Sequence, residues 1–122
     1  MENYLIYVAL GISVFTACLH LGPGSLEFAK PLWANKRIPL SPRATLWMVW
    51  HMVSAVLFVV PALIGLGLWQ GSTDFLWSAL LLNTAVGLAA FMSNIVLRVG
   101  LRVLFQGLLF LPVSLALLLA LI

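Results

Sequence analysis

Two histidines, an asparagine and a glutamine are the residues of this chain whose types and spacing could do chemistry. His20, His51, Asn94 and Gln106 fall in four different apolar segments, each toward the same end of its segment. Neutral imidazoles from two helices can ligate a metal ion or a haem iron. Cys18, Met48, Met52 and Met92 add soft donors near that level in the sequence, which suits Cu(I). The same two imidazoles could instead relay protons. A third reading is structural: both rings bond headgroups or backbone carbonyls, and the methionines pack. His51 ranks above His20. Trp47 and Trp50 mark an interface just before it, whereas His20 lies two residues from a Gly-Pro pair. With a single cysteine, an internal disulfide and a multi-cysteine metal site are both excluded.

The elements that must position these groups are apolar spans. The chain has 122 residues, of which 64% are hydrophobic and 7% charged, too much apolar surface for a soluble domain of this length to bury. Spans are expected at about 4–21, 43–69, 75–97 and 103–122, each near the 20 residues that cross a hydrocarbon core. Gly22-Pro23-Gly24 is expected to stop the first, and Ser41-Pro42 to start the second. The segment between them carries Glu27, Phe28, Leu32 and Trp33 and reads either as a segment lying on the inner headgroup layer or as an ordinary hydrated loop with anchors. On that map no carboxylate lies within a span. Pro61 and Pro112 fall inside the second and fourth, where they shape or hinge the bundle.

The fold class is therefore an all-α, integral membrane four-helix bundle in a single domain, 1–122. Its orientation follows from the cations. Lys30, Lys36, Arg37, Arg43, Arg98 and Arg102 occupy two connections on one side. The positive-inside bias makes those connections cytoplasmic and both termini external. Tyr4, Tyr7, Trp69 and Trp77 then fall at the outer interface, and Trp33, Trp47 and Trp50 at the inner one. The expected location is a multi-pass position in a bacterial plasma membrane. The basic pI near 9.6 reflects few charges rather than a basic face, so nucleic acid is not expected as a partner.

Helical periodicity predicts which faces turn inward. Ser13, Thr16, Ala17 and His20 share one face of the first span. His51, Ser54, Ala55, Phe58 and Ala62 are expected to share the inner face of the second. Asn83, Gly87, Ala90 and Asn94 form a small and polar stripe on the third, with Asn83 bonding another helix. Neither the His-Glu-x-x-His pattern nor a glycine-rich phosphate loop is present, and whether the chain is an enzyme stays open.

The run His20-x-x-x-Gly24, then Pro31-Leu32, then Trp50-His51 with Ser54, resembles a loose group of small, uncharacterised bacterial four-span membrane proteins. The resemblance implies one folding unit that contains both histidines, and it transfers no chemistry. The expected function is ligand or cofactor binding at the polar layer. His20 and His51 would lead, Asn94 and Gln106 would contribute, and the bilayer would be the constant partner. Two other readings remain: a structural subunit of a larger membrane complex, or a small homo-oligomeric transporter.

Overall fold

The structure, a computed structural model, describes residues 4–100 and 105–122, and the side chains of residues 105 and 106 lie outside that description. The described residues are all-helical and form four helices. Helix α1 runs Tyr4–Ala34, α2 Leu40–Gln70 and α3 Thr73–Leu97. Helix α4, Phe110–Leu121, follows a 3₁₀ turn over Phe105–Leu109. The first three are long and apolar enough to cross a membrane, and the fourth is a shorter apolar helix. Each helix packs on its sequence neighbours, and α1 packs on α4, so the four close into a ring. Short connections make the neighbours antiparallel.

Helix α1 departs most from expectation. Gly22-Pro23-Gly24 does not stop it. Residues His20–Ala29 instead form a π-helical stretch, and α-helix resumes over Lys30–Ala34. In this wider register a carbonyl bonds the fifth residue on, as the Lys30 amide does to the Ser25 carbonyl. Pro23 then forfeits one bond without ending the helix. The expected surface loop shrinks to the Asn35–Pro39 region, where the Ile38 amide donates to the Asn35 carbonyl at 3.1 Å. A second correction follows. Glu27 lies inside the continuous first helix and not in a loop.

The bounds of α2 and α3 hold to within a few residues, whereas the α-helix of the fourth segment begins only at Phe110 and is shorter than the expected span. Helix α2 starts at Leu40 after Pro39, with no side-chain cap from Ser41. It ends on Gly71, whose φ of 62° is a left-handed conformation that glycine adopts without strain. Pro61 is buried within α2, which continues through it. Pro112 lies in the first turn of α4, where an amide would have no helical partner anyway. Arg102, and the start expected for the fourth span at residue 103, lie outside the described residues.

The core sits toward the Gly71–Ser72 end of the ring. Ala9 of α1, Val60 and Ile64 of α2, Leu76 and Ala79 of α3, and Leu117 of α4 pack together there. The α1 face is as expected, with Ser13, Thr16 and Ala17 buried. The α2 face is not. Ser54, Leu57, Val60, Pro61, Ile64 and Gly67 are buried, whereas Ala55, Phe58 and Ala62 are exposed. Shape decides this, because Leu57 and Ile64 fill the space between helices while the positions Ala55 and Ala62 face out. On α3, Asn83 and Asn94 are buried, and Gly87 lets α4 come close: a Cβ there would lie 2.8 Å from the Cβ of Phe110.

Candidate functional site

At the other end of the ring the packing opens. A smaller cluster of Ala17, Leu57 and Phe110 forms the boundary between the closed core and a cavity of about 320 Å³. All four helical layers contribute to its wall. The π-helical part of α1 supplies His20, Pro23, Gly24, Glu27 and Phe28. Val53 comes from α2, Val86, Ala90 and Ser93 from α3, and Phe110 from α4. The wall is mostly apolar, as ligand sites for small molecules generally are, with few polar groups to orient what enters.

His20 is the most firmly held of those polar groups. Its ring stacks on the Trp50 indole, with centroids 4.1 Å apart and planes 17° apart. Its Nδ1 lies 3.0 Å from the Ser54 hydroxyl oxygen. The Ser54 hydroxyl has one proton and donates it to the Trp50 carbonyl at 3.0 Å. With that proton engaged, Nδ1–H of His20 is the donor to Ser54, and the lone pair of the neutral ring sits on Nε2. The Trp50 indole N–H donates to the Ser25 hydroxyl at 2.9 Å. That hydroxyl in turn donates to the His20 carbonyl at 3.5 Å. Histidine, serine, tryptophan and serine thus form a closed circuit between α1 and α2.

The π-helical register makes this circuit. Ser25 reaches a carbonyl five residues back, the spacing of the wider helix. Gly24 leaves room for the indole. A Cβ on Gly24 would lie 3.2 Å from Cζ2 of Trp50 and 3.1 Å from the Leu19 carbonyl oxygen. Phe28 flanks the same indole, its centroid 6.1 Å from that of Trp50.

The other expected site residues are placed differently. His51 is half-buried and meets Trp47 edge-on at 4.6 Å, so the two imidazoles lie against two different indoles. Asn94 is 5% exposed, and its backbone carbonyl accepts the Val99 amide at 3.1 Å. Neither His51 nor Asn94 contributes to the cavity wall. The Gln106 side chain lies outside the described residues. Cys18, Met48 and Met52 are exposed on the outer surface, and so is Met92. Among the described residues no three His, Cys, Asp or Glu side chains gather as metal ligands.

Two functional candidates escaped the sequence reading, Phe28 and the tryptophan–serine circuit, and Glu27 lies in the cavity wall rather than in the expected loop. Glu27 shares the cavity wall with His20 because the helix continues past Gly22-Pro23. The predicted stop at Gly22-Pro23 hid that relation. Trp50, expected as an interfacial anchor, turns onto His20 instead. No protein-family model, curated protein or solved structure matches this chain.

Proposed function

We propose that this chain is a multi-pass membrane protein that binds a small, largely apolar molecule in the cavity beside His20. The observation that carries the reading is the cavity itself. It is apolar, and one wall holds an imidazole fixed in place by Ser54 and Trp50. Such pre-organisation lowers the cost of ordering the site on binding. Membrane residence is supported by the exterior, where Tyr4, Leu81, Val96 and Leu97 are 63–74% exposed. Apolar surface on that scale fits a lipid environment. The cations of the Asn35–Pro39 connection, with Arg98 after α3, support a cytoplasmic position for the cavity's end of the ring.

The test uses the full chain in phosphatidylcholine nanodiscs and 1-adamantanol, a compact apolar cage with one polar group. Binding is read by saturation-transfer NMR against empty discs. Saturable binding is expected, and Ala90→Phe, which fills the cavity, abolishes it. His20→Ala weakens it by about tenfold, the scale of one hydrogen bond lost in an apolar site. Binding no greater than that of empty discs would overturn the reading.

A further inference from the structure

The polar side chains around the cavity share a property that their identities alone do not reveal. Among the described residues four of them line it: Thr16, His20, Glu27 and Ser93. The Thr16 hydroxyl donates its proton to the Ile12 carbonyl at 2.8 Å. The Ser93 hydroxyl donates to the Ala89 carbonyl at 2.9 Å. His20 donates Nδ1–H to Ser54, whose own proton is on the Trp50 carbonyl. A carboxylate has acceptors only. Thr16, His20 and Ser93 have therefore placed their protons inside the protein, and all four side chains offer the cavity lone pairs. Pro23, also in the wall, has no N–H to offer.

An acceptor-only wall selects a ligand that donates. Glu27 then decides between a neutral and a charged donor. Among the described residues it is the sole acid in the wall, and none of their lysines or arginines lines the cavity with it. Lys30, three residues on, is exposed and outside the wall. Phe28 beside Glu27 adds an aromatic face, which attracts a cation further. Resting on the binding function proposed above, we infer that the occupant is a protonated apolar amine. Its ammonium group meets Glu27 and the acceptor lone pairs, and its hydrocarbon body lies against Val53, Leu57, Val86 and Ala90. A carboxylate or phosphate head would face lone pairs and a like charge, so anionic amphiphiles are excluded by the same wall.

Three compounds with one adamantane cage separate these terms: 1-adamantylamine, 1-adamantanol and 1-adamantanecarboxylate. They are titrated at neutral pH into the full chain in phosphatidylcholine nanodiscs, with empty discs subtracted. The amine is expected to bind at least about tenfold tighter than the alcohol, the scale of one charge-assisted hydrogen bond. The carboxylate is not expected to compete. Glu27→Gln should bring amine and alcohol within about threefold of each other, while Glu27→Asp keeps the preference. An alcohol that binds as well as the amine overturns the charge inference and leaves the cavity function standing. So does an amine preference that survives Glu27→Gln, because the charge recognised would then lie elsewhere. A chain that binds none of the three overturns the cavity function itself.

Discussion

Ser54 holds the His20 ring through a 3.0 Å hydrogen bond to Nδ1, and it does so with a hydroxyl whose own proton is donated to the Trp50 carbonyl. A serine in that state can only accept, so it fixes which imidazole nitrogen carries hydrogen. The relationship is a positioning one, because Ser54 itself is not part of the cavity wall. Ser54→Ala removes the acceptor and leaves the ring stacked on Trp50. The ¹⁵N spectrum of His20 should show a protonated Nδ1 and bare Nε2 in the native chain, and a mixed tautomer in the variant. Affinity for 1-adamantylamine should fall by roughly threefold to tenfold, as one hydrogen bond's loss implies. An unchanged ¹⁵N spectrum would show that Ser54 does not set the tautomer.

Two neighbouring glycines give opposite expectations. A Cβ on Gly22 meets nothing within 4 Å, whereas one on Gly24 meets the Trp50 ring and the Leu19 carbonyl. Gly22→Ala should therefore be neutral or stabilising by about 0.5–1 kcal/mol, the ordinary gain of alanine over glycine in a helix. Gly24→Ala should cost about 1–3 kcal/mol, because the indole is tied to Ser25 and His20 and cannot simply slide away. Thermal unfolding in detergent measures both. Equal midpoints for the two variants would mean that the indole does yield.

Much of this architecture was legible in the sequence, for specific reasons. Four apolar segments with turn residues between them predict four helices, and the ends of α2 and α3 fall close to expectation. The α1 and α3 faces follow from spacing alone, since small residues mark close approach. Asn83 was expected to bond another helix, and it does. The reading failed where a local rule was overridden. Gly-Pro-Gly is ordinarily a helix stop, but the π register carries α1 through it. That one error displaced Glu27 into a loop and concealed the cavity's acidic group. The α2 face failed because His51 was taken as its reference. Trp50 and Ser54, one turn apart, are the residues that face α1.

The α3–α4 contact is joined by a polar knot. The Asn83 amide donates to the Phe110 carbonyl at 2.9 Å and to the Ser114 hydroxyl at 2.8 Å. Thr84 shares a further 2.9 Å bond with Ser114. Interhelical bonds in membranes are individually modest, so Asn83→Ala should cost about 1 kcal/mol. Gly87→Ala should cost more, about 1–3 kcal/mol, because its Cβ would press on the backbone-proximal Cβ of Phe110. The order of the two unfolding midpoints is the measurement. If Asn83→Ala proved the more damaging, hydrogen bonding rather than close packing would be holding α4 in the ring.

The left-handed residue after α3 gives a prediction that is independent of any ligand. Arg98 has φ 53° and ψ 37°, and caps the helix with its amide on the Ile95 carbonyl at 3.1 Å. A side chain in that conformation is strained by roughly 1–2 kcal/mol, and glycine would not be. Glycine also loses more freedom on folding, which offsets part of the gain. Arg98→Gly should thus stabilise the bundle by about 0.5–1 kcal/mol in detergent. A lower midpoint would mean that the guanidinium contributes more than the strain removes.

Orientation is tested with single cysteines in a Cys18→Ser background, since the native thiol is exposed on the outer surface. Lys36→Cys lies in the connection after α1, and Thr73→Cys starts α3 beside the Gly71–Ser72 turn. Both positions are exposed, so reactivity reports the side of the membrane and not burial. The closed ring of antiparallel helices puts the 35–39 connection and Arg98 at one end and the Gly71–Ser72 turn at the other. Four cations surround the first connection, whereas Asp74 is the only charge near the turn among the described residues. For a chain that spans the membrane as proposed, the positive-inside bias predicts that the first end is cytoplasmic. In intact cells a membrane-impermeant maleimide should label Thr73→Cys and leave Lys36→Cys untouched until the membrane is opened. Labelling of Lys36→Cys alone would invert the topology and place the cavity at the outer face. Labelling of both in intact cells would mean that the helices do not span the bilayer at all.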